Sequence, residues 1–338
     1  MLISENVLLR PYNTFGIAAR SRYFADFSNA DELRELLSAP QFRGLSRMIL
    51  GGGSNVLFTK DFDGVMLKNG MKGIAVVKED DDYVYVKAGA GESWHGFVME
   101  NIKHNRGGLE NLSLIPGNVG ASPMQNIGAY GVEIKDTFHS LEALHLEEHE
   151  VVTFTKEDCR FGYRESVFKH KYKGQFAILS VTYQLRKHPQ FNTSYGAIEA
   201  ELNVMGVKEL SIQAISQAVI NIRSSKLPDP AKIGNAGSFF KNPTVPAGDY
   251  ERIKTAYPDV VAYPVEGGQY KLAAGWLIEQ CGWKGYREGD AGVHAKQALV
   301  LVNYGEAKGG EIYNLSQQVL DSVEEKFGVL LEREVNII

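Results

Sequence analysis

Leu114-Ile-Pro-Gly-Asn-Val-Gly-Ala-Ser-Pro-Met-Gln-Asn-Ile-Gly-Ala-Tyr-Gly131 holds four glycines and two prolines in 18 residues and carries no charged side chain. A solvated loop carries charge, and a central strand does not accommodate Pro116, Gly117 and Pro123. Small residues beside Gln125 and Asn126 suit a backbone wrapped around a flat ligand with polar edges; a buried Ω-loop packed only on itself is the alternative. A second glycine-rich stretch lies upstream, where the apolar strand Arg47-Met-Ile-Leu50 runs into Gly51-Gly52-Gly53-Ser54-Asn55. Backbone N–H groups in such a turn can converge on a pyrophosphate, and missing Cβ atoms let it approach. A plain tight turn fits the same residues. Two common nucleotide fingerprints are excluded. After glycines at 51 and 53 the dinucleotide pattern requires glycine at 56, which is Val56, and no Gly-Lys-Ser/Thr follows for a P-loop. A nucleotide bound here needs a different scaffold.

Working outward, Val65–Lys68, Ile74–Lys78 and Tyr83–Ala88 read as strands, the last alternating as a half-buried strand does. Ser93 is the N-cap expected for a helix with Trp94, Phe97, Val98 and Ile102 on one face. Leu141–Leu146, Val151–Phe154 and Phe176–Leu185 are further strands. The last third is more helical. Ser211 caps a helix carrying Ile212, Ile215, Val219 and Ile222; Leu272–Cys281 ends at Gly282, and Glu311–Phe327 at Gly328. Strands are expected at Ala298–Val302 and Val329–Ile338. The pattern is that of an α+β protein with a boundary between residues 187 and 210.

The 338 residues carry a formal net charge of −5, which gives no general field for nucleic acid or an anionic membrane. No apolar run is long enough for a membrane-spanning helix, and the start lacks a signal peptide's pattern. Cys159 and Cys281 form no CxxC pair, so they read as reduced thiols of a cytoplasmic protein, with no metal site.

Several residues could carry chemistry. Arg160-Phe-Gly-Tyr-Arg-Glu-Ser166 sets Tyr163 and Arg164 in a turn, and an arginine fork suits a carboxylate or developing enolate; a surface ion pair is the plainer alternative. In Gly234-Asn-Ala-Gly-Ser-Phe-Phe-Lys-Asn-Pro243, Ser238 is not a nucleophile elbow, because Phe240 stands where the last glycine belongs. With His294 the only histidine in the C-terminal third, Ser238 fits a proton donor better than an acyl-transfer nucleophile. Lys226 and Lys241 are candidates for the charge that would favour its alkoxide. Glu332 and Glu334 share one face of the expected last strand. One could be a site carboxylate; solvent-facing charges on an edge strand are the alternative.

Together with Asn13-Thr-Phe-Gly16, Gly107-Gly-Leu-Glu-Asn111, Gln125–Gly131, Phe161-Gly-Tyr-Arg164 and Lys226-Leu-Pro-Asp-Pro230, these motifs resemble the UDP-N-acetylenolpyruvoylglucosamine reductase family over the whole chain. The resemblance implies an FAD-binding domain of the PCMH, or vanillyl-alcohol-oxidase, type at 16–187. This would have two α/β subdomains, about 1–70 and 71–187, followed by an α+β substrate domain at 208–337. It implies FAD contacts from Gly51, Gly52, Gly53, Ser54, Asn55, Val56 and Leu57. The second loop would add Ile115, Pro116, Gly117, Gly120, Ala121, Ser122, Gln125, Asn126, Ile127, Gly128, Ala129 and Tyr130, and Arg223 would complete the set. Ser238 would be the proton donor, with Arg164 and Glu334 activating the substrate carboxylate. Tyr163, Tyr195, Lys226, Asn242, Tyr263 and Gln297 would contact the UDP-sugar, with NADPH as co-substrate. Tyr195-Gly196 and the Tyr263 segment resemble the type I subclass. Asn336 departs from the family, where a basic residue is expected near FAD. The implied protein is a cytoplasmic monomer of peptidoglycan precursor synthesis.

Overall fold

The computed structural model describes residues 2–338. They divide into two compact units, each built from separate stretches of chain. The first takes the residues up to Val7, Ser21–Gly52 and Asp63–Ser225; the second takes Leu8–Arg20, Gly53–Phe62 and Lys226–Ile338. Strands and helices are mixed in both, as in an α+β protein.

The first unit is organised by two sheets. One runs in the order Ile3–Leu8, Arg20–Phe27, Phe62–Asn69, Ser46–Leu50. Ser46–Leu50 lies parallel to Phe62–Asn69, with Met48 opposite Met66, so the glycine turn leaves from the C-terminal end of a parallel strand. The helix Ala30–Leu37 is capped by the Asn29 side chain and buries Leu33, Leu36 and Leu37 against Phe27, Val65 and Leu67. Sequence reading missed this helix and the first two strands. The other sheet is antiparallel, in the order Val151–Thr155, Phe138–His145, Phe176–Arg186, Tyr83–Gly89, Ile74–Glu79. The helix Trp94–Lys103 begins at Ser93, whose hydroxyl accepts from Gly96 N–H. It sets Trp94, Phe97, Val98 and Ile102 in one core with Val86, Val181, Tyr183 and Leu185. Each such side chain stabilises by roughly 1.5–3 kcal/mol relative to exposure.

This unit runs on past the seam expected at 187–210. The helix Ile212–Lys226 starts at Ser211, whose Oγ accepts the Ala214 N–H at 3.1 Å. Ile212 joins the core of Trp94 and Phe97, and the Gln213 amide donates to the Ile102 carbonyl at 3.1 Å. That helix therefore packs with the domain before it.

In the second unit a sheet runs Gly234–Asn235, Leu301–Asn303, Ala291–Val293, Arg287–Glu288. The helix Gly309–Phe327 buries Ile312, Leu315, Val319, Val323 and Phe327 and packs against two of those strands. A smaller sheet orders Thr244–Pro246, Gln269–Leu272, Ala262–Val265. Two expectations are corrected here. Leu272 ends a strand, and the following helix is Ala274–Gln280. The long terminal strand at 329–338 reduces to Asn336–Ile337, parallel to Val56–Leu57, plus a bridge between Phe240 and Arg333. Arg333 sends its Nε to Ser316 Oγ at 2.8 Å, which draws that segment toward the long helix instead of into a ladder.

Candidate active site

In the first unit the two glycine-rich stretches meet. A Cβ built on Gly52 would fall 2.6 Å from Asn118 Oδ1 and 2.9 Å from Gly117 Cα, so the turn and the loop touch backbone to backbone only because residue 52 has no side chain. Gly117 has φ +107, and its carbonyl accepts the Trp94 N–H at 2.9 Å. Asn118 Nδ2 donates to the Gly91 carbonyl at 2.8 Å. Among the described residues, the N–H groups of Gly52, Gly53 and Ser54 make none of the turn and loop hydrogen bonds to backbone carbonyls. Such a run of donors fits a pyrophosphate. The Gly51 carbonyl accepts instead from Lys68 Nζ, and burial lowers the pKa of Lys68. These features fit FAD.

The rest of the loop divides between packing and presentation. Ser122 and Asn126 are buried. Ser122 Oγ bonds Tyr183 Oη at 2.6 Å and the Val119 carbonyl at 2.7 Å. Asn126 Nδ2 donates to the Gly162 carbonyl at 2.9 Å and to Glu133 Oε2 at 3.0 Å. The Asn126 bond fastens the loop to the turn bearing Tyr163 and Arg164. That turn is closed between Gly162 and Glu165, with Arg164 at φ +56 and its guanidinium carbon 5.6 Å from the Tyr163 ring centre. A Cβ on Gly128 would stand 3.4 Å from Arg164 Nη1, so Arg164 lies along the loop. Arg223 joins this group. Its Nε donates to the Leu114 carbonyl at 3.3 Å, it hydrogen-bonds Tyr130, and burial, with a smaller contribution from the charge of Arg164, holds its pKa below the ordinary arginine value against the opposing effect of Tyr130. Burial raises the pKa of Tyr130. Its ring meets the exposed Tyr195 edge-on at 5.4 Å.

In the second unit Gly53, Asn55, Ser238 and Glu334 share one neighbourhood. Gly53 has φ +63, and a Cβ there would lie 2.0 Å from the Tyr12 carbonyl oxygen. Thr14 N–H donates to the Gly53 carbonyl at 3.0 Å, which gives the Asn13–Gly16 motif its place. Asn55 Nδ2 donates to the Glu334 carbonyl at 3.3 Å, and Glu334 N–H donates to the Phe239 carbonyl at 2.8 Å. Ser238 and Glu334 thus stand on bridged segments. Asn336 Nδ2 donates to the Asn55 carbonyl at 2.9 Å, so the departure at 336 keeps a tie to the glycine turn. Glu332 is different. Its carboxylate pairs with Lys241 Nζ at 2.7 Å, which occupies the lysine closest in sequence to Ser238.

Asn242 and Gln297 converge on the start of the helix Ala274–Gln280. Asn242 Oδ1 accepts the Ala274 N–H at 3.0 Å, and a Cβ on Gly275 would lie 3.1 Å from Gln297 Oε1. Tyr263 is exposed on its strand opposite Lys271, and Lys226 is exposed at the end of its helix. Sequence reasoning overlooked Asn111, buried, whose amide donates to the Tyr130 and Asn192 carbonyls at 3.0 and 2.9 Å. Its position in the Gly107–Asn111 motif was the available signal.

Two glycine-rich segments in contact, beside an arginine-bearing turn, suit an FAD-dependent oxidoreductase, and the comparisons define that class. Residues 22–155 match the model of the FAD binding domain family, and residues 229–338 match that of the UDP-N-acetylenolpyruvoylglucosamine reductase C-terminal domain. The chain is 52% identical over 339 residues to the UDP-N-acetylenolpyruvoylglucosamine reductase of Flavobacterium johnsoniae, covering 100% of both chains. It is 52% identical to that of Pseudomonas putida, covering 98% of each. The crystal structure of the Thermus caldophilus reductase superposes with a TM-score of 0.69 over 99% of each chain at 21% identity, which shows the shared fold. The chain belongs to the UDP-N-acetylenolpyruvoylglucosamine reductase family.

Proposed function

We propose that the chain reduces the enolpyruvyl ether of UDP-N-acetylglucosamine to UDP-N-acetylmuramate, a step of peptidoglycan precursor synthesis, with NADPH as electron source. FAD, held by the glycine turn at 51–57 and the loop at 115–130, would supply the hydride-transfer chemistry that links NADPH to the enol ether. An enol ether resists hydride unless negative charge can flow into its carboxylate. Arg164 offers a guanidinium fork to that carboxylate, and Glu334 steadies the enolate as it forms. Ser238 then gives its hydroxyl proton to the adjacent carbon. Tyr163, Tyr195, Lys226, Asn242, Tyr263 and Gln297 bind the UDP-sugar; the nearness of Asn242 and Gln297 at one helix start supports their acting together.

The observation that most supports these roles is the 2.8 Å bond from Glu334 N–H to the carbonyl next to Ser238, because a proton donor and a carboxylate serving one intermediate must be neighbours. The test is anaerobic spectroscopy. NADPH should bleach the flavin of the purified protein, and the enolpyruvyl UDP-sugar should restore it. Ser238→Ala should slow the second step by about 10²–10⁴-fold, the usual worth of a positioned proton transfer, and leave the first unchanged. Equal slowing of both steps removes Ser238 from the role.

A further inference from the structure

Leu114 enters the second glycine-rich loop with φ +59, a left-handed backbone that a bulky residue seldom adopts. Both polar atoms of this residue are held by side chains from different helices. Its N–H donates to Nδ1 of His95 at 3.0 Å, on the helix Trp94–Lys103. Its carbonyl accepts from Nε of Arg223 at 3.3 Å, on the helix Ile212–Lys226. Three residues further on, Gly117 meets Gly52. The conformation of Leu114 therefore sets the direction in which 115–117 approach the glycine turn.

We propose that His95 is a positioning residue for FAD: by accepting the Leu114 N–H it holds the left-handed peptide that aims 115–117 at the Gly51–Gly52 turn. This rests on the reading that those residues contact the cofactor. Histidine suits the task because Nδ1 accepts only in the neutral ring. Burial, then the positive charge of Arg223, holds its pKa below the ordinary histidine value, so the ring stays neutral near pH 7. Arg223 is the charged group facing it. As pH falls through that lowered pKa, Nδ1 gains a proton, the acceptor is lost, and the loop is released.

The experiment measures FAD affinity of the apoprotein by flavin fluorescence, with folding followed by circular dichroism. His95→Phe should weaken FAD about 10- to 100-fold, the cost of leaving a part-buried N–H without its acceptor. His95→Asn, whose Oδ1 can take the place of Nδ1, should restore most of it. In a Leu114→Gly background the left-handed conformation needs no support, and His95→Phe should cost far less. Should His95→Phe not fold in the parent chain, the pH dependence decides: acid should weaken FAD binding to the parent and weaken it less in His95→Asn. The proposal is overturned if Asn loses as much as Phe, if the Phe penalty is equal in both backgrounds, or if the two pH profiles coincide. A parent chain that binds no FAD at all would instead sink the cofactor reading.

Discussion

At the scale of single residues, Gly52 is closely confined, although its backbone is not left-handed. A methyl group there has Asn118 Oδ1 at 2.6 Å and Gly117 Cα at 2.9 Å. The amide of Asn118 can swing aside; the backbone of 117 cannot move without shifting the loop. Gly52→Ala should therefore weaken FAD binding by about tenfold or more while changing the apoprotein's stability by only about 1–3 kcal/mol, the usual cost of overpacking. Flavin fluorescence titration beside a urea melt separates the two effects, and unaltered FAD affinity would show that the turn and loop do not jointly form the cradle. Composition pointed to a close approach at this glycine, expected from a pyrophosphate. That the nearest backbone is that of residue 117 required the fold. The Asn126 side chain was not legible in this way: its amide is buried and donates to the Gly162 carbonyl and to Glu133, partners that come from distant turns, as a buried polar group requires.

At the scale of elements, periodicity was informative where a helix buries one face and carries its own cap. Ile212–Lys226 has Ser211, and Gly309–Phe327 ends on Gly328 in the left-handed region. The helix Ala274–Gln280 was misplaced because its cap is Asn242, 32 residues away, a signal absent from local sequence. The long helix also yields a paired prediction. A Cβ on Gly309 would stand 1.7 Å from the Phe58 carbonyl oxygen, whereas one on Gly310 meets nothing within 4 Å. Gly309→Ala should cost about 3 kcal/mol or more, since backbone must move against backbone. Gly310→Ala should stabilise by about 0.4–1 kcal/mol through the unfolded chain's lost freedom. Denaturant unfolding of the two variants gives both signs, and a destabilised Gly310→Ala would contradict the open space at 310.

At the scale of the molecule, the sequence shows where composition changes but not which distant segments complete a core. A seam near 187–210 suggested a domain boundary there. The second unit instead draws on Leu8–Arg20 and Gly53–Phe62. Phe15, fully buried, meets Phe239 edge-on at 6.1 Å, and its carbonyl accepts from Asn303 Nδ2 at 2.9 Å. Val56–Leu57 supplies the only strand paired with Asn336–Ile337 among the described residues. A fragment of residues 208–338 would expose Phe239, leave the Asn303 amide without its acceptor, and leave the terminal strand unpaired. Large apolar losses of this kind cost about 3–5 kcal/mol each, comparable to the whole stability of a small domain. The fragment should therefore melt without a cooperative transition and show little near-ultraviolet dichroism. A sharp melt matching that of the intact chain would mean that the N-terminal segments decorate a core already complete, and the tie from Asn55 to the backbone of Glu334 would then be an accessory of the site instead of part of its frame.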